Sequence, residues 1–247
     1  MAKKVQTVFV CSECGHESLK WMGQCICGAW NTMTEEKVLP QEGTDKRRRT
    51  GSGGNSGAGA FSRAGKPMPL FRVKSGETGR VDTGIPEFNR VLGGGLVKGS
   101  LTLISGEPGI GKSTLILQAA AKIAENCGKV LYVSGEESEE QIKMRADRIC
   151  RSIPDSLYIL SETNMENIIA QKEQIQPAFL IIDSIQTMYS AELDSAPGTV
   201  SQVRVCGNEL MRIGKGSDLP VLIVAHVTKS GDLAGPKIVE HLVDTVL

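Results

Sequence analysis

With 247 residues, 40% of them hydrophobic, the chain can fill one sizeable core and a small appended module but not two large domains. Lysine plus arginine and aspartate plus glutamate number 28 each, and the zero net charge excludes a global attraction to nucleic acid or membrane; any nucleic-acid site has to be a local patch. No run approaches the roughly 18 apolar residues of a membrane span, and no secretory h-region follows Met1, so a cytoplasmic protein is expected.

Residues 1–36 read as the first unit. They hold Cys11, Cys14, Cys25 and Cys27 together with both tryptophans, Trp21 and Trp30. Thiols stay reduced in the cytosol, so the crowding points to a metal instead of a disulfide framework. Cys11-Ser12-Glu13-Cys14-Gly15 has the two-residue spacer that lets two thiolates share one tetrahedral zinc ion. Cys25-Ile26-Cys27-Gly28 has a single residue between its sulfurs, fewer atoms with which to meet bonds of about 2.3 Å, and His16 is an alternative ligand. A unit with so little apolar mass needs a metal to fold.

Residues 37–75 read as a flexible linker. Lys46-Arg47-Arg48-Arg49 precedes the tract Gly51-Ser52-Gly53-Gly54-Asn55-Ser56-Gly57, which can bury almost nothing apolar. The basic run is read as solvated.

From residue 76 to 247 apolar runs alternate with helical patterns, which predicts an α/β domain with a mostly parallel sheet and helices on both faces. Strands are expected at residues 101–105, 130–134, 178–183 and 220–225, three of them near-continuous apolar runs suited to the covered centre of a sheet. Helices are expected at residues 113–126, 138–150, 166–174 and 200–213. A last strand at residues 242–247 runs to the final residue, so an unfinished sheet is expected. Cys127, Cys150 and Cys206 are isolated and read as packing residues.

Gly106-Glu107-Pro108-Gly109-Ile110-Gly111-Lys112-Ser113 matches G-x-x-x-x-G-K-[ST], after an apolar strand and before a helix. Glycines there let backbone N–H groups face a phosphate, and the helix N-terminus adds partial positive charge. ATP is the expected ligand. Lys112 is assigned to the β- and γ-phosphates, Ser113 to Mg²⁺ and Thr114 to the neighbourhood of the α-phosphate. Phe179-Leu180-Ile181-Ile182 delivers Asp183 to the carboxyl end of a neighbouring strand, where it can join the Mg²⁺ shell; capping of a following helix is the alternative. Gly135-Glu136-Glu137-Ser138 follows another strand and supplies Glu136 as the base that activates water, with Glu137 its rival. His226 lies just past the fourth strand, placed to sense the γ-phosphate and relay its loss to the following loop; a purely structural histidine is the alternative.

Three stretches go beyond a generic phosphate loop. The lead-in from Thr83-Gly84-Ile85-Pro86 to Gly93-Gly94-Gly95-Leu96, the run Val133-Ser134-Gly135-Glu136-Glu137-Ser138, and His226-Val227-Thr228-Lys229 with Glu240-His241-Leu242-Val243-Asp244 together resemble the RadA (Sms) family of RecA-like ATPases. The resemblance implies a RecA-like core behind a zinc-ribbon-like module, and a DNA-dependent ATPase that works as a hexameric, helicase-like ring on recombination intermediates. It implies single-stranded and branched DNA and the recombinase RecA as partners, with ATP held between subunits. The family's DNA-gripping loops correspond to residues 189–205 and 229–237, which makes Arg204, Lys229 and Lys237 the expected phosphate contacts. The family's Lys-Asn-Arg-Phe-Gly motif and Lon-like domain are absent from these 247 residues. Two other readings stay open: a KaiC-like regulatory ATPase or phosphotransferase, and a non-catalytic module that binds zinc and nucleotide.

Overall fold

The computed structural model describes residues 6–11, 16–26, 28–38, 69–72, 79–227 and 237–247. Cys14, Cys27 and Lys229 lie outside the described residues, as does nearly all of the segment read as a linker.

The N-terminal unit is an antiparallel sheet of β1 (Gln6–Cys11), β2 (Glu17–Ser18) and β3 (Met33–Val38) in the order β2-β1-β3. Its apolar centre is small: Cys11, Cys25 and Met33 are buried, with Phe9 and Met22 packed against them.

The main domain starts with a ribbon of β4 (Arg80–Val81) and β5 (Leu96–Val97) around the short helix α1 (Pro86–Val91). Then follow β6 (Leu101–Gly106), α2 (Lys112–Asn126), β7 (Val130–Ser134), α3 (Glu139–Ile149), β8 (Leu157–Ser161), α4 (Met165–Ile175), β9 (Phe179–Asp183), α5 (Val200–Ser217), β10 (Val221–His226), α6 (Lys237–Glu240) and β11 (Thr245–Val246). The six-stranded sheet has the order β11-β6-β10-β9-β7-β8, and every neighbouring pair is parallel.

Strand alternation divides the interior into two layers. Leu101, Leu103, Leu131, Val133, Leu180, Ile182, Val221 and Ile223 face one layer with Met165 and Ile168 of α4 and Val203, Leu210 and Ile213 of α5. Ile104, Val130, Tyr132, Phe179, Ile181, Leu222 and Val224 face the other with Ile116, Leu117, Ala120 and Ile123 of α2 and Ile142 and Ala146 of α3. Each fully buried aliphatic or aromatic side chain is worth about 1.5–3 kcal/mol. That two-sided burial is why β7, β9 and β10 read as unbroken apolar runs.

The expected strands and helices form, with changes at three places. Helix α5 runs on to Ser217 instead of stopping at Ile213, because Gly214 serves close packing and does not end the helix: a Cβ there would lie 2.8 Å from Leu101 Cδ1. The chain turns only at Asp218, in the left-handed region at φ 51°. The strand expected at residues 242–247 contracts to Thr245–Val246 beside β6. Strand β8, at the sheet edge with none of its residues fully buried, is not among the expected strands, although Leu157-Tyr158-Ile159-Leu160 is an apolar run.

Candidate nucleotide site

Parallel register brings the site together. His226 pairs with Gly106 where β10 meets β6, and Ser134 pairs with Asp183 where β7 meets β9, so the carboxyl ends of four strands open on one edge. A cleft of about 320 Å³ lies there, bounded by the Gly106–Ser113 turn and by Glu136, Glu137, Asp183 and His226.

In the turn from β6 to α2, Gly109 (φ 83°) and Gly111 (φ 102°) adopt left-handed conformations that disfavour any side chain, although a Cβ at either would meet open space. Backbone conformation, not crowding, requires glycine at both. Lys112 folds over the turn and donates from Nζ to Gly106 O (2.8 Å) and Glu107 O (2.9 Å). Burial lowers the pKa of its ammonium, while the negative charges of Asp183 and Glu136 act in the opposite sense. The first turn of α2 leaves N–H groups without helical partners, which suits an anion.

The two acids after β7 have different surroundings. Glu137 pairs with Arg145 of α3, and its backbone N–H donates to Ser134 Oγ at 3.0 Å. Glu136 accepts a 2.6 Å hydrogen bond from Ser184 Oγ, and its Oε1 lies 3.5 Å from His226 Nε2. At the end of β9, Asp183 Oδ2 accepts a 2.5 Å hydrogen bond from Tyr132. Both ring nitrogens of His226 are buried without a hydrogen-bond partner. The His226 backbone is bracketed by Gln186, whose Nε2 donates to His226 O at 3.0 Å and whose Oε1 accepts from His226 N at 3.4 Å.

All four residues expected to do the chemistry, Lys112, Glu136, Asp183 and His226, thus line one cleft with Ser113 and Thr114. Sequence reasoning missed Tyr132, Arg145, Ser184 and Gln186. The only signal for Tyr132 was a phenol inside an apolar strand; the other three have no local signature, since each finds its partner through tertiary contacts. The hydroxyl of Ser113 and carboxylate of Asp183 are the hard oxygen donors that fit Mg²⁺.

The residues expected at DNA do not share one loop. Arg204 is half-buried on α5, the helix expected from residue 200, whose N-cap Thr199 accepts from Gln202 N through Oγ1; the DNA loop that the resemblance implied over residues 189–205 therefore overlaps a helix from residue 200 on. Fully buried Gln202 ties down the preceding turn, accepting from Ser190 N (2.9 Å) and donating to Ser195 O (2.9 Å). Lys237 opens α6, and Lys229 is outside the described residues.

In the N-terminal unit, Cys11 and Cys25 are 0% and 3% exposed in one small core. Cys11 ends β1 with its N–H donating to His16 O (3.0 Å), and Gly28 N–H donates to Cys25 O (2.9 Å). Buried thiols are the donor chemistry that zinc takes.

The AAA domain family matches residues 67–232, and the rubredoxin metal binding domain family matches residues 9–35. The DNA repair protein RadA of Bacillus subtilis is 51% identical over 249 residues, covering 99% of this chain. The chain belongs to the RadA family. RadA of Listeria monocytogenes is 48% identical over 252 residues, covering all of this chain. The chain spans about half the length of these curated relatives, 52% of each. The crystal structure of a KaiC-like protein from Pyrococcus horikoshii superposes with a TM-score of 0.53 at 22% identity, over 68% of this chain and 79% of that one. At that identity the likeness speaks for the fold, the RecA/KaiC-like parallel sheet. The chain thus combines a P-loop ATPase fold with an N-terminal zinc ribbon. Among its described residues no helix is long and apolar enough to cross a membrane.

Proposed function

We propose that this chain is the ATP-hydrolysing part of a DNA-stimulated, helicase-like motor of the cytoplasm that processes recombination intermediates by branch migration. The observation that carries the reading is the convergence of the Gly106–Ser113 turn, Glu136, Asp183 and His226 on one cleft. Its divisions are residues 1–36 as a zinc module, 37–75 as linker and 76–247 as the motor core.

Main-chain N–H groups of the turn and the Lys112 ammonium hold the β- and γ-phosphates, and Thr114 lies by the α-phosphate. Ser113 and Asp183 are the residues that would hold Mg²⁺, and the bound ion would supply positive charge to the phosphates. Glu136 accepts the proton of the attacking water. Glu137 is a weaker base because Arg145 occupies its carboxylate. His226, beside Glu136, transmits the state of the γ-phosphate along the segment that follows β10. Arg204, Lys229 and Lys237 contact DNA phosphates, with single-stranded and branched DNA and RecA as partners and a hexamer as the working assembly. Cys11, Cys14, Cys25 and Cys27 hold zinc.

The test is ATP turnover with and without single-stranded and branched DNA, alongside calorimetry with Mg-ATP and Mg-ADP. The wild-type chain is expected to bind nucleotide and turn over faster with DNA, and Lys112→Ala to lose turnover. Absence of any binding heat, or normal hydrolysis by Lys112→Ala, would refute the site. Phosphate transferred to protein without DNA stimulation would favour the KaiC-like reading.

A further inference from the structure

Tyr132 is 1% exposed, a single phenol in a strand whose other members are Val130, Leu131, Val133 and Ser134. Strand alternation turns it toward the layer under α2 and α3, the same side of the sheet as Phe179, Ile181 and Asp183. A buried hydroxyl has to find a partner. Tyr132 finds Asp183 Oδ2, at 2.5 Å, and Asp183 makes no other side-chain hydrogen bond among the described residues.

We infer that Tyr132 is a positioning residue for the metal: its hydroxyl holds one oxygen of Asp183 and so turns the carboxylate toward the cation at the phosphate loop. The inference rests on the proposed Mg-ATP site. A carboxylate oxygen accepts, so in this contact the phenol O–H is the donor. Donation to a carboxylate is among the stronger hydrogen bonds a neutral group makes, and it occupies one side of Asp183. Without it, nothing in the described core fixes the carboxylate's rotation, and the ammonium of Lys112 is the nearby charge that attracts it. A carboxylate drawn to Lys112 removes a metal ligand and compensates the cation meant for phosphate. Tyr132 therefore reserves the Asp183 carboxylate for the cation and leaves Lys112 to the phosphates.

The experiment is Tyr132→Phe, which keeps the ring in its packed position and removes only the donor. Calorimetry of ATP binding in EDTA is compared with binding in increasing Mg²⁺, and turnover is titrated with Mg²⁺. Affinity without metal is expected to stay within about two-fold of wild type, while half-saturation by Mg²⁺ rises about ten-fold, as when other groups that orient a metal's ligand are removed. In an Asp183→Asn background, Tyr132→Phe is expected to add no further metal defect. An unchanged Mg²⁺ requirement, or equal weakening with and without metal, assigns Tyr132 to packing alone and overturns the inference. Should Tyr132→Phe fail to fold, the ¹⁹F resonance of Tyr132 in a chain labelled with 3-fluorotyrosine, identified with Tyr158→Phe and Tyr189→Phe, is expected to move with Mg-ADP and not with ADP in EDTA. Equal shifts in both overturn it too. Wild-type chain that binds no nucleotide sinks the proposed function itself, a result distinct from any of these.

Discussion

Ser184 Oγ donates a 2.6 Å hydrogen bond to Glu136 Oε1, tying the residue after β9 to the acid after β7 across 48 positions of sequence. Ser184 is fully buried, whereas the Glu136 side chain is 45% exposed, so one carboxylate oxygen is anchored from below and the rest of the group faces the cleft. Glu137, one residue on, is engaged by Arg145. Adjacent acids in sequence thus have different chemical environments.

Glu136→Gln is expected to bind Mg-ATP normally and to hydrolyse it at least about 100-fold more slowly, the usual worth of a positioned base. Glu137→Gln is expected to retain a larger share of activity. Single-turnover hydrolysis with parallel binding measurements checks both. Slow turnover confined to Glu137→Gln would reverse the assignment.

Gly135 separates Ser134 from Glu136, and its N–H donates to Asp183 O at 2.8 Å. A Cβ at this position would overlap the Thr187 hydroxyl and come within 3.1 Å of Met188 Cε, in a region where Met188 is fully buried. Gly135→Ala is therefore expected to cost about 1–3 kcal/mol, the range for overpacking a tight interior. The urea midpoint of the variant reads that loss, and an unchanged midpoint would show that Thr187 moves aside freely.

The purified chain is expected to carry about one equivalent of zinc, because so small a thiol-centred core is a poor fold without it. Both tryptophans of the chain, Trp21 and Trp30, belong to the N-terminal unit, so chelation should change tryptophan emission. The sheet domain should keep its thermal transition. Less than about half an equivalent of zinc in intact protein would argue against a structural zinc.

The phosphate turn was legible because glycine, lysine and serine at fixed offsets between a strand and a helix answer to local geometry. Asp183 and Glu136 were legible because each directly follows an apolar strand whose end has to reach one sheet edge. Tyr132, Arg145, Ser184 and Gln186 were not, since the partner of a hydroxyl, guanidinium or amide is set by how separate elements pack and not by its immediate chain neighbours. Arg204 shows two readings in conflict: the helix expected from residue 200 forms behind the Thr199 cap, whereas the family resemblance counted residues 189–205 as a loop.

By itself the sequence determined the central strands and long helices of the main domain, the conformation of the phosphate turn and the family, because periodic burial, positive-φ glycines and contiguous motifs are properties of neighbouring residues. The tertiary structure decided which of two adjacent glutamates is paired with Arg145 and which hydroxyl hydrogen-bonds Asp183. It did so because parallel strands β7, β9 and β10 bring residues 132, 136, 183, 184 and 226 to one sheet edge. There burial compels each polar group to find a partner, and that partner cannot be read from chain neighbours.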